Sequence, residues 1–317
     1  MDEGDDMSFS GKVKEELLSV VGSARHCQLA ELAAIFGFCG YARDGGSGRP
    51  IIGISTENKT ISIKYFTLLR KTFNIYASVS VKRHGRQSGI LIYEVRVENR
   101  EKAKEILMAL KLYDEETQTC KSVVNPVLLK KDCCRRAYLR GVYLAIGSMS
   151  NPEKSYHLEF VCDKKEQALY LIEVLKDFGI EAKEVLRKKY YVVYLKDGEA
   201  IVDLLNIMGA HVALMELENM RIYKEMRNSI NRRVNCEAAN ITKTVNAAAR
   251  QVEDILYIRD HMGLQKLPDN LQEIARLRLE NPEATLKELS EMLDPPVGKS
   301  GVNHRLRKLS ELAERLK

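Results

Sequence analysis

The chain has 317 residues, 45% of them hydrophobic, and its 50 Lys and Arg against 44 Asp and Glu give a net charge of +6. That length accommodates two or three domains of about 100–200 residues each, and the apolar fraction is that of a globular protein with a sizeable core. No run of about 18 apolar residues occurs, which excludes a membrane-spanning helix, and the mild basic excess is compatible with nucleic acid without requiring it.

The chain opens MDEGDDMSFS, acidic and without an apolar core segment, so it is not a secretory signal. Met7 offers an alternative start, and residues 1–19 read as a leader and a first helix. The seven cysteines (Cys27, Cys39, Cys120, Cys133, Cys134, Cys162 and Cys236) are odd in number, scattered and without a CxxC pair. This argues against a disulfide framework and a zinc knuckle and for reduced thiols in a cytosol. Cys133 and Cys134 read as buried small apolar residues, with redox activity the alternative.

A repeat follows. QLAELAAIFGFCG (28–40) is an apolar helix ending at Gly40; a strand IIGIST (51–56), a helix ISIKYFTLLRKTF (61–73), strands YASVSVKR (76–83) and ILIYEVRV (90–97), and a helix REKAKEILMAL (100–110) come next. The order recurs after a joining segment, 113–129. A helix (134–147) ends at Gly147, then YHLEFVC (156–162) is a strand, 165–179 a helix, 181–188 and 190–196 strands, and 199–209 a helix. Alternation with β-branched and aromatic residues marks the strands, and i, i+3, i+4 apolar spacing marks the helices. Residues ~20–115 and ~130–212 thus read as two copies of one αββ-type unit within a single pseudo-symmetric α+β domain, 20–220.

From residue 221 to 250 seven basic residues outnumber two acids, and the segment reads as helix, basic linker, then the start of another helix. Asn231, Asn235, Asn240 and Asn246, with Arg232 and Arg233, either cap helices and fix the domains or touch DNA backbone. Residues 251–317 read as an all-α unit. Thr285 and Glu288 form a capping box, and Leu286, Leu289 and Leu293 line one face of a short helix stopped by Asp294-Pro295-Pro296. A second helix starts near Lys299 or Ser300. Val302, Leu306 and Leu309 are its core stripe, while Ser300, Asn303, His304, Arg307 and Lys308 lie opposite, with Arg305 on the flank. No acid occurs between Pro295 and Ser310. An apolar stripe that packs on the preceding helix, with Asn and Arg forks outside, is what a helix-turn-helix reader of DNA requires. In that reading Ser300, Asn303, His304 and Arg307 face the groove, and Lys299, Arg305 and Lys308 meet phosphates. The turn exceeds the usual ~3–4 residues, making this a variant of the motif.

The two Gly-ended helices resemble the paired helices of LAGLIDADG homing endonucleases. Aligning LAAIFGFCG (32–40) and LRGVYLAIG (139–147) on that motif puts its catalytic acid positions on Cys39 and Ile146. Neither is a hard carboxylate ligand for Mg²⁺. The small residues (Ala33, Gly37 and Gly40; Ala137, Gly141 and Ala145) remain to let two helix backbones approach, so the motif reads as scaffold with no catalytic residue and no metal. Lys82, Arg83, His84 and Arg86 in one copy, and Arg187, Lys188, Lys189 and Lys196 in the other, could contact phosphates or simply be solvated charge, diluted by Glu94, Glu98, Glu181 and Glu184. GGSG at 45–48 reads as a flexible turn, and the six histidines show no HxxxH or HExxH spacing.

The strings ELAAIFGFCGY, RRAYLRGVYLAIGSMSNP, NRRVNCEAANITKTVNAAARQ and PPVGKSGVNHRLRKLSELAE together resemble the WhiA family of bacterial regulators over about 31 to 314. The resemblance implies a cytoplasmic, nucleoid-associated protein that binds double-stranded DNA sequence-specifically. It would control transcription, with effects on cell division, chromosome segregation and, in sporulating relatives, sporulation, and without a cofactor. In sporulating actinobacteria such proteins work with an iron–sulfur partner of the WhiB type. Two alternatives stay open: a metal-dependent nuclease using other acids such as Asp44 or Glu159, and a non-catalytic scaffold for division proteins.

Overall fold

The computed structural model describes residues 7–44, 50–84, 89–114, 119–121 and 123–317. The expected leader at 1–6, the GGSG turn at 45–48 and Arg86 lie outside them. The chain divides into two compact units, 1–222 and 223–317.

The first unit begins with helix α1 (Phe9–Ser19) and then runs α2 (Arg25–Cys39), β1 (Gly40–Asp44), β2 (Pro50–Thr56), α3 (Lys59–Phe73), β3 (Ser78–His84), β4 (Ile90–Val97) and α4 (Arg100–Ala109). A short hairpin, β5 (Tyr113–Asp114) with β6 (Thr119–Cys120), and a 3₁₀ turn (Pro126–Leu129) lead into the second copy. That copy is α5 (Asp132–Ile146), β7 (Gly147–Met149), β8 (Leu158–Cys162), α6 (Lys165–Lys176), β9 (Lys183–Arg187), β10 (Tyr190–Leu195) and α7 (Gly198–Met208). Both copies form antiparallel four-stranded sheets of matching order, β1-β2-β4-β3 and β7-β8-β10-β9. Polar side chains start several of the helices: Asn58, Asn99 and Asp197 each accept from a first-turn amide. Alternation buries Ile52, Ile54, Val95 and Val97 in one sheet, and Leu158, Phe160, Val193 and Leu195 in the other.

Each sheet therefore has one strand more than the sequence reading supplied, and it begins at the glycine read as a helix stop. Gly40 (φ −81°, ψ 153°) and Gly147 (φ −79°, ψ 145°) are extended, not left-handed caps. A Cβ on Gly40 would strike the Phe36 carbonyl oxygen and ring, and one on Gly147 would lie 2.5 Å from the Tyr143 ring and 2.7 Å from its carbonyl oxygen. Gly40 thus relieves crowding with its own helix as the chain turns sharply into a strand; it does not belong to a helix–helix seam.

The seam itself is the packing of α2 along α5. Gly141 lies where a Cβ would meet the Glu31 carbonyl oxygen at 2.7 Å and Ala34 Cβ at 2.8 Å, so only glycine permits the approach. The Glu31 carboxylate is wholly buried there, with Lys64 Nζ 3.0 Å and Arg140 Nε 3.1 Å from the same oxygen. Arg140 also donates to the Met208 carbonyl at 2.8 Å, closing onto α7. Lys64 donates to the carbonyls of Leu17 at 2.8 Å, Leu18 at 3.4 Å, and Val20, which fastens the end of α1. Burial pulls the Lys64 pKa down, opposed by Glu31. Phe9, Val13 and Leu17 of α1 are buried in the same core, so the first helix belongs to this unit.

The stretch expected as helix–linker–helix is one continuous helix, α8 (His211–His261, 51 residues). No Gly or Pro interrupts it. The hydroxyls of Thr242 and Thr244 bond back to the carbonyls of Ala238 and Asn240, both at 2.9 Å, so these polar residues serve the helix rather than break it. The second unit continues with a 3₁₀ turn (Leu264–Lys266), α9 (Asp269–Glu280), α10 (Leu286–Met292) and α11 (Lys299–Leu316) around a separate core.

Removing one partner of a buried ionic network strands the others, at about 3–5 kcal/mol. Glu31→Ala should lower the unfolding free energy of the first unit by that amount in urea titration. A loss under about 1 kcal/mol would show that Lys64 and Arg140 find other compensation.

Candidate nucleic-acid interface

In α11, Val302, Leu306, Leu309 and Ala313 are buried, while Lys299, Ser300, Asn303, His304, Arg307 and Lys308 are exposed on the opposite side. The helix sits where it does because of its neighbours. Thr285 accepts from the Glu288 amide at 3.3 Å, and the Glu288 carboxylate accepts from the Thr285 amide at 2.7 Å, a capping box that starts α10. Arg278, 2% exposed, donates to the Ala284 carbonyl at 2.6 Å and the Pro282 carbonyl at 3.4 Å, pinning the turn between α9 and α10. A Cβ on Gly301 would strike Val297, so glycine here lets the six-residue turn Leu293–Gly298 fold against the first turn of α11.

Gly298 precedes α11 with no side-chain cap, leaving the first amides beside Lys299 and Ser300 open to an anion. Asn303 and Arg307 border a groove shared with Arg250 and Gln251 of α8. Arg307 Nε lies 3.0 Å from Glu311, the first acid beyond the basic turns. An exposed i, i+4 pair is worth about 0.3–0.5 kcal/mol, against about 1–3 kcal/mol for a bidentate contact to guanine, so the pair does not hold the guanidinium back. Arg305 is the least exposed of these residues, at 21%, and its side chain is turned onto α9, 3.7 Å from Glu273 and 3.5 Å from the Asn270 carbonyl. Such a long surface pair is worth no more than that of Arg307.

In the first unit, Cys39 and Ile146 end α2 and α5 side by side, with Cys39 Sγ 4.0 Å from the Ala145 carbonyl. Burial pushes the Cys39 thiol up to about 11, so it is neutral at pH 7. Lys14 acts on it electrostatically from one side and Asp163 from another. On the sheet faces away from the helices two acids are paired. Glu94 accepts from Tyr41 Oη at 2.6 Å and pairs with Lys82 at 2.9 Å. Glu159 lies 3.1 Å from His157 and 3.3 Å from Arg187. Lys82 and Arg187 thus already have acids, while Arg83, Lys188, Lys189 and Lys196 are exposed.

Three family models match the chain: the WhiA N-terminal LAGLIDADG-like domain over residues 25–113, the WhiA LAGLIDADG-like domain over 135–227, and the WhiA C-terminal HTH domain over 230–313. The chain belongs to the WhiA family. A protein of Lachnoclostridium phytofermentans named "Probable cell division protein WhiA" is 51% identical over 312 residues, 98% of this chain and 100% of its own. One of the same name from Alkaliphilus oremlandii is 50% identical over 313 residues, 98% of each chain. The crystal structure of full-length DUF199/WhiA from Thermatoga maritima is similar at 26% identity, covering 97% of this chain and 98% of that one with a TM-score of 0.59. Beyond the helix-turn-helix, the WhiA fold gathers residues that sequence spacing kept apart. Glu31, Lys64 and Arg140 form the buried network, and His26, Cys27, Cys133 and Cys134 converge at the N-terminal ends of α2 and α5. The reading of these cysteines and histidines as scattered fails for these four, because it rested on contiguous motifs and the two pairs lie on different repeats.

The Tyr41 hydroxyl, then the Lys82 ammonium, hold the Glu94 carboxyl down to about 2. A depressed carboxyl stabilises the fold above its unfolded pKa of about 4.3, and that stability is lost as pH falls through the folded value. The Tm gap between wild type and Glu94→Gln should therefore close between about pH 5 and pH 2. A gap constant over that window would show that Glu94 gains nothing from being ionised.

Proposed function

We propose that this WhiA-family chain is a sequence-specific DNA-binding regulator of transcription, acting in cell division, as the name of its relatives suggests, with an effect on chromosome segregation, and that it cuts no DNA. The observation that carries this reading is the exposed face of α11, basic and acid-free from Lys299 to Lys308, on a helix whose other face is buried against α9 and α10. Asn303, His304 and Arg307 supply base-edge donors and acceptors, Ser300 and the free amides hold a phosphate, and Lys299 and Lys308 add charge. Arg250 of α8 joins the same groove.

The LAGLIDADG-like half serves geometry in this reading. A neutral thiol and an isoleucine occupy the acid positions, and on the sheet faces Lys82 and Arg187 are neutralised by Glu94 and Glu159. The nuclease alternative finds no support in Glu159, which is committed to His157 and Arg187; the side chain of Asp44 lies outside the described residues. A role in docking division proteins has its own observation: Met226, Ile230 and Val234 stand exposed in an i, i+4 row on α8.

Fluorescence anisotropy of the full chain on genome-selected against random DNA, over a salt series, tests the proposal. Arg307→Ala should cost about 1–3 kcal/mol on the selected site and relax base preference. Lys308→Ala should weaken all sequences alike and flatten the salt slope. Unchanged binding in both variants would remove α11 as the reader. Incubation of plasmid with excess protein and Mg²⁺ or Mn²⁺ should leave it supercoiled; nicking would overturn the loss of nuclease activity.

A further inference from the structure

His26 and Cys27 are the second and third residues of α2, and Cys133 and Cys134 are the second and third residues of α5. The two repeats thus contribute equivalent positions to one point between them. His26 Nδ1 is 3.2 Å from Cys134 Sγ, 3.3 Å from Cys27 Sγ and 4.0 Å from Cys133 Sγ. All four donor atoms lie within 4.8 Å of one another, and no other such group of His, Cys or carboxylate ligands occurs among the described residues.

Tetrahedral zinc takes bonds of about 2.3 Å to sulfur and about 2.0–2.1 Å to imidazole nitrogen, which sets nitrogen–sulfur separations near about 3.6 Å and sulfur–sulfur separations near about 3.8 Å. The observed nitrogen–sulfur distances bracket the first value. The three cysteines are free thiols, so no disulfide explains their approach, and thiols are weak hydrogen-bond donors that gain little by crowding an imidazole. Both helices begin here without a side-chain cap, and without an ion burial raises the Cys27 and Cys134 thiols, so a metal would have to displace their protons as it binds.

We propose that His26, Cys27, Cys133 and Cys134 form a Cys₃His site for a single structural zinc ion. Four protein ligands close the shell and leave no open position, as in structural rather than catalytic zinc sites. Cys27 and Cys134 are buried and anchor the site, while His26 and Cys133 are exposed and give the ion a way in. From Cys27 to Cys39 the helical rise is about 18 Å, so this site is separate from the ends where the fold's acids once stood. It would staple the two repeats at their outer ends, and it holds whether or not α11 reads DNA.

The test uses the full chain, purified in reductant without a metal-affinity tag, with its metal measured by mass spectrometry and the protein then exchanged with cobalt(II). The expected results are about one zinc per chain, intense tetrahedral cobalt bands with thiolate charge transfer, and a Tm raised by about 10 °C at zinc a thousandfold above its Kd. Cys133→Ser, at an exposed position that spares the core, should weaken zinc by more than the roughly 10–100-fold typical of outer-shell changes while circular dichroism stays native. The proposal is overturned by a chain that retains no zinc and gives only weak octahedral cobalt bands. It is overturned equally by zinc bound as tightly in Cys133→Ser and His26→Ala as in wild type, or by iron occupying the thiolates.

Discussion

The close approach of α2 and α5 is the constraint on which the first unit depends. Gly141 allows the backbones to meet, and Glu31 stands at the meeting point with both its carbonyl and its carboxylate. Through Lys64 and Arg140 that single buried anion reaches α3, α5, the end of α1 and the end of α7. Burying three charges is costly, and an apolar set of equal volume would be as stable or more so. What the ions add is geometry. Each demands partners at fixed distances, so the repeats can be joined in only one register.

The same helix pair has different chemistry at its two ends. At the C-terminal ends the backbone crosses into strands through Gly40 and Gly147, and the side chains there are a thiol and an isoleucine. At the N-terminal ends the helices collect an imidazole and three thiols, a softer set suited to a different ion. Duplication explains why four donors can meet at one end. A residue at one position of a repeat is brought opposite its equivalent whenever it lies near the symmetry axis, so two modest donors become four.

The second unit was the more legible half because its signals are local. A capping box, a proline-limited turn and a period of three to four residues are all written within a few positions of one another, and the buried and exposed faces of α11 fall where that period puts them. Periodicity places Arg305 on a flank, and only the packing of α9 decides which way a flank residue turns. The long helix α8 was misread. Its Asn and Thr content suggests a linker, yet no Gly or Pro breaks the segment and the Thr242 and Thr244 hydroxyls are satisfied within the helix itself.

The sequence by itself determined the duplication, the α+β class, the absence of a carboxylate at Cys39 and Ile146, and the amphipathic helix α11. Each of these is a property of residue type and short spacing, and local propensity and burial act over those distances. Only the tertiary structure decided that Gly40 and Gly147 open strands, that Glu31 is the buried anion, and that His26 and Cys27 meet Cys133 and Cys134. The last two outcomes depend on contacts between residues about a hundred positions apart, set by how two helices cross. No pattern read along one strand of sequence contains that crossing.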